Sequence, residues 1–146
     1  MDIILFFTAF FQLYLYWEVL VIMSTSAVVV NSFYSLVSKK TFNFFDLRVT
    51  LFALVFNHLF FFIGIFIYLA NLLFVYWNSD HTLTINQSNI LFDLPTHSLN
   101  LFSLIIITVG WSLHKNSKVN FKKFLRLFTF YFLGLTILVG KYLWLN

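Results

Sequence analysis

Apolar residues in this chain come in long unbroken blocks. They do not follow the one-face-in-three rhythm of a helix that has water on its outer side. From position 3 to about 37 only Gln12, Glu18 and a small polar patch interrupt the first block. Further blocks cover about 49–77, 99–113 and 127–145. A helix needs about 20 apolar residues to cross a hydrocarbon core of ~30 Å. The first block exceeds one span at ~1.5 Å per residue, so the expected span is 14–37, preceded by an interfacial or tilted N-terminal turn. The third span, 99–113, is short and must borrow residues at its ends. A polar stretch over 78–98 separates it from the second and contains the single proline, Pro95. The expectation is an all-α, polytopic transmembrane bundle of about four spans forming one domain.

The cations fall in two places. Lys39, Lys40 and Arg48 lie between the first and second spans, and Lys115, Lys118, Lys122, Lys123 and Arg126 between the third and fourth. The other side carries Asp2, Asp80 and Asp93, with Lys141 near the membrane edge. Short loops rich in Lys and Arg stay on the side of synthesis. The two spans between the basic loops bring both to one side and put both termini on the other. Lys115, Lys118, Lys122, Lys123 and Arg126 are expected to meet anionic lipid headgroups, and Lys141 to snorkel outward.

Inside the spans, Thr50, Asn57, Gly64 and Asn71 recur every seven residues and share one face of the second helix. In the first span Ser24, Ala27, Asn31, Ser35 and Ser38 form a similar stripe. Small and hydrogen-bonding residues allow membrane helices to approach and bond to one another. Both stripes therefore predict packing seams.

Composition agrees: 61% of the 146 residues are hydrophobic and 10% are charged, against roughly a quarter charged in soluble domains. With no Cys, disulfides and thiolate metal sites are excluded. The 22 Phe, together with a preference for Leu, Ile, Asn, Lys and Tyr, are what AT-rich coding produces. That points to an organelle genome, and so to the mitochondrial inner membrane. No Lys or Arg precedes Lys39, so neither a secretory n-region nor an Arg-rich presequence is expected.

Candidate chemistry is sparse. His58, beside Asn57, sits mid-span, where an ionisable side chain is costly and invites a functional reading; a hydrogen-bonded histidine in the seam is the simpler one. Glu18 is expected near the outer interface or paired with a polar group of a partner. His81, His97 and His114 do not match His58 in depth, so a bis-histidine haem is not expected, and no converging ligand set suggests a metal. The Asn86-Gln87-Ser88 triplet has the form of a glycosylation acceptor, a pattern too common to count. No phosphate-binding glycine loop or nucleophile–base pair is visible. Nucleic acid is not an expected partner. The residues themselves describe a small helical membrane subunit of a larger complex, without catalytic groups.

The order of features resembles cytochrome c oxidase subunit III and its quinol oxidase relatives. In that family a G-L-R element after a polar loop is followed by eight residues, S-E, two residues and F-F. Here Asp46-Leu47-Arg48 is followed at the same spacing by Asn57-His58 and then Phe61-Phe62. Phe92-Asp93-Leu94-Pro95 resembles the family's L-P element. Trp111-Ser112-Leu113-His114 before Lys115-Asn116-Ser117-Lys118 resembles its T-W-A-H-H stretch and basic loop, and Leu133-Gly134 its later L-G pair. The likeness runs from Asn31 to Asn146 and covers the family's central helices, as in a shortened or split subunit III. His58 and Asn57 stand where the family has an embedded glutamate and its neighbouring serine. The resemblance implies a non-catalytic subunit that binds no haem or metal directly. It implies packing against the catalytic oxidase subunit and the remaining subunit III helices, with structural phospholipid between helices. The alternatives are a small membrane subunit of respiratory complex I, for which Glu18 would be the embedded carboxylate, or an accessory subunit of another inner-membrane complex.

Overall fold

The computed structural model describes residues 3–77 and 94–145, which form four α-helices: α1 (Ile3–Val37), α2 (Phe44–Trp77), α3 (Leu94–Lys115) and α4 (Asn120–Leu145). Among the described residues there is no strand. Each helix contains a segment long and apolar enough to cross a bilayer, so the chain is a four-span helical membrane protein. Asp80, His81, Asn86-Gln87-Ser88 and Asp93 lie outside the described residues, as do Asp2 and Asn146.

The helices pack in a ring, α1 on α2, α2 on α3, α3 on α4 and α4 back on α1. The buried positions explain the geometry. In α1 they are Tyr14, Glu18, Val21, Thr25, Val28, Ser32 and Ser35; in α2, Asp46, Thr50, Ala53, Asn57, Phe60, Gly64 and Ile67. In α3 the inner face includes Asn100, Ser103, Ile107, Gly110 and His114; in α4 it is Phe124, Leu127, Tyr131, Gly134, Leu138 and Lys141. The steps alternate between three and four residues on every helix. That is the 3.5-residue repeat of side chains meshing along a left-handed bundle. The outward faces carry large apolar residues such as Tyr16, Met23, Phe52, Phe62, Phe102 and Trp144, a surface that hydrocarbon can solvate and water cannot.

Thr50, Asn57 and Gly64 line the seam as expected; the Asn71 side chain is outside the described set. The stripe expected on the first span needs correction. Ala27 and Ser38 are exposed, Ser24 and Asn31 half-buried, and of that set Ser35 alone is buried. The inner face of α1 mixes large and small residues, so small size by itself was the wrong guide. α1 is continuous from Ile3, with no turn before Tyr14, because neither Gly nor Pro interrupts it. α3 begins at Leu94, within the stretch read as polar loop. Pro95 lies in its first turn, where a missing N–H has no helical partner to lose. α4 begins at Asn120, so Lys122, Lys123 and Arg126 are helical residues and not loop residues.

The two basic connections meet at one end of the ring. Phe42, in the α1–α2 connection, lies 5.5 Å from the His114 ring and 5.3 Å from Phe124, and the Lys123 ammonium sits 5.1 Å from its centroid. The first connection is tied by local bonds. Lys39 adopts φ 49°. The Lys40 amide donates to the Ser35 carbonyl (3.1 Å) and the Lys39 amide to Leu36 (3.4 Å), the paired bonds of a Schellman ending without its usual glycine. Asn43 and Asp46 then cap α2 reciprocally: the Asp46 amide donates to Asn43 Oδ1 (3.0 Å) and the Asn43 amide to Asp46 Oδ2 (2.9 Å), a capping box built from Asn and Asp. The second connection is tied by Arg126 Nη1, which donates to the Leu113 carbonyl at 2.5 Å.

Candidate functional site

Polar side chains tie helices to one another. Asn57 Nδ2 donates to Thr25 Oγ1 (3.0 Å) and to the Ala53 carbonyl (2.8 Å). The Tyr131 hydroxyl donates to the Thr50 carbonyl (3.0 Å), and Ser103 to the Gly134 carbonyl (2.9 Å). A Cβ at Gly134 would meet Ile107 Cγ1 at 2.6 Å, and one at Gly110 would collide with the Phe130 side chain. These two glycines let α3 and α4 come close. His58, the mid-span candidate, is half-buried, and its Nδ1 lies 2.8 Å from the Leu54 carbonyl. A carbonyl only accepts, so Nδ1 carries the proton and the ring is bound to its own helix.

The site that stands out is at the end of the ring away from the basic connections. Tyr14 and Glu18 are one turn apart on α1, Phe60 and Gly64 one turn apart on α2, His97 and Asn100 on α3, and Lys141 is on α4. Lys141 Nζ lies 2.5 Å from Glu18 Oε1, with the two side chains 2% and 6% exposed. Nζ also donates to Asn100 Oδ1 (3.0 Å) and sits 5.0 Å from the Phe60 ring centroid. Asn100 Nδ2 donates to the Tyr14 hydroxyl (3.0 Å), and Tyr14 stacks on Phe60 at 4.8 Å. A Cβ at Gly64 would lie 3.3 Å from both His97 Nδ1 and Tyr14 Cε2, so the bare glycine lets those two rings close over α2.

Chemically, the arrangement solvates the ammonium of α4 with a carboxylate from α1, an amide oxygen from α3 and an aromatic face from α2. Two charges removed from water need that many partners. Among the described residues no group of three His, Asp or Glu side chains could hold a metal.

Glu18 is expected near the outer interface or paired with a polar group of a partner; its polar partner, Lys141, is within its own chain. Lys141 was expected to snorkel; it is turned inward and buried. Their pairing was open to arithmetic. Measured from the basic end at ~1.5 Å per residue, Glu18 lies roughly 28 Å along α1 and Lys141 roughly 31 Å along α4. What the residues alone did not reveal is that α4 is the neighbour of α1. Of the basic residues expected at headgroups, Lys115, Lys118 and Lys122 are exposed. Lys123 and Arg126 are half-buried and engaged with Phe42 and the Leu113 carbonyl.

No family model, no curated protein and no solved structure matches this chain.

Proposed function

We propose that this chain is a non-catalytic subunit of a mitochondrial terminal oxidase in the inner membrane, similar to cytochrome c oxidase subunit III. It supports the catalytic subunit and holds phospholipid during aerobic electron transport. The observation that carries this reading is the order of family-like elements along the helices. Asp46-Leu47-Arg48 opens α2 and Leu94-Pro95 opens α3. Trp111–His114 closes α3, and Leu133-Gly134 lies within α4. Two features of the bundle support a packing role. Its polar groups bind helix to helix, and its outer faces offer bulky apolar side chains to lipid or to neighbouring subunits. Lys115, Lys118 and Lys122 stand exposed at one end, where anionic headgroups would gather.

One observation favours a second reading, a small membrane subunit of respiratory complex I. Such subunits use embedded ionisable groups, and Glu18 and Lys141 are a carboxylate and an ammonium buried together.

Native electrophoresis of gently solubilised membranes, with the chain located by mass spectrometry, separates the two. Comigration with haem a and copper is the expected result. Comigration with NADH dehydrogenase activity overturns the oxidase assignment.

A further inference from the structure

The ring closes where α4 packs on α1. Along that contact the inner face of α1 offers Val21, Thr25, Val28 and Ser32, and the inner face of α4 offers Leu138, Gly134, Tyr131 and Leu127. Among the described residues the polar groups of these layers bond to α2 and not between α1 and α4, Thr25 to Asn57 and Tyr131 to the Thr50 carbonyl, and bilayer lipid supplies no hydrophobic drive to prefer one alignment of α1 on α4 over another. A slide of one helical turn, ~5.4 Å, would still set apolar layers against one another. It would also move Lys141 opposite Val21 or Tyr14 and leave Glu18 facing an uncharged residue.

We propose that Glu18 and Lys141 form the latch that closes the helix ring and fixes the register of α4 on α1, so that neither charge is tolerated inside the bundle without the other. Three observations carry this. Lys141 is the one polar partner of Glu18 among the described residues. The ammonium also meets Phe60 of α2 and Asn100 of α3, with the Tyr14 ring of α1 at 6.0 Å, so a correct pairing of α1 with α4 is reported to all four helices at one level. Finally, both side chains are almost completely withdrawn from solvent, where removing one partner of an ion pair is far more damaging than removing both. A single polar position fixing the alignment of an otherwise permissive heptad seam has a well-attested counterpart in coiled coils. The inference rests on the four-span bundle and is independent of the oxidase reading.

The chain lacks cysteine, which permits a direct test on the full-length protein in mild detergent. Val21 and Leu138 belong to one core cluster, so a Val21→Cys/Leu138→Cys pair reports the observed register. A Thr25→Cys/Leu138→Cys pair reports a slide of one turn. With the charges intact, the first pair should cross-link at least about tenfold more than the second. Glu18→Gln and Lys141→Met should each shift the SDS-unfolding equilibrium by about a hundredfold or more, the range for an orphaned buried charge. The double variant should recover most of that stability while its cross-linking spreads over both registers. The latch is refuted if either single variant keeps the original stability, or if the double variant keeps the first register as sharply as the parent.

Discussion

The two ends of the bundle each bury a carboxylate beside a lysine, and they hold it by different means. At the basic end Asp46 is fully buried, yet Lys40 is only one of its partners, at 3.4 Å and with its own side chain 34% exposed. Asn31 Nδ2 and the Asn43 amide also donate to it, each at 2.9 Å. At the far end Glu18 depends on Lys141. An ion pair whose acid already has amide donors is close to redundant, whereas one that is the acid's whole solvation is structural. Distance and burial decide which is which; both are a carboxylate beside a lysine.

This contrast yields graded expectations, all measurable by SDS titration of the detergent-solubilised chain. Lys141→Met should have the largest effect, destabilising by about 3–5 kcal/mol, because Glu18 is left buried and uncompensated. Asp46→Ala should cost about 2–3 kcal/mol, since the α2 cap is lost and Asn31 is left without its acceptor. Lys40→Met, which removes the same kind of charge as Lys141→Met, should cost no more than about 1 kcal/mol. An equal loss from the two lysine variants would erase the distinction between the ends. Lys39→Gly should stabilise by about 0.5–1 kcal/mol, because glycine enters the left-handed region without the steric cost of a side chain. The smallest effect is salt. Raising ionic strength should further reduce whatever Lys40 contributes and leave the effect of Lys141→Met unchanged.

Much of the architecture was legible in the residues. The length of the apolar blocks fixed four spans. The clustering of cations anticipated that both connections share one end, as the contacts of Phe42 with His114 and Phe124 place them. The seven-residue spacing of Thr50, Asn57 and Gly64 identified the inner face of α2. The inner face of α1 was missed because Tyr14, Val21 and Val28 look like any lipid-facing residue until the neighbouring helix is known. The ring order was likewise out of reach, and with it the meaning of Glu18 and Lys141. Each residue had a sensible separate explanation, and only adjacency of the first and last helices makes them one feature. The capping box was within reach, since Asn43 and Asp46 stand three apart before an apolar run.

The reciprocal cap of α2 has a bearing on the timing of assembly. Asn43 and Asp46 are 3 positions apart and Asn31 and Asp46 are 15 apart, so the α1–α2 hairpin can finish its ties soon after it leaves the ribosome. At the opposite end, Tyr14 and Asn100 are 86 positions apart, and Lys141 comes later still. One half of the molecule can therefore set early as a template, while the other stays open until the fourth helix is delivered. Newly made chain is most exposed to wrong partners during that interval.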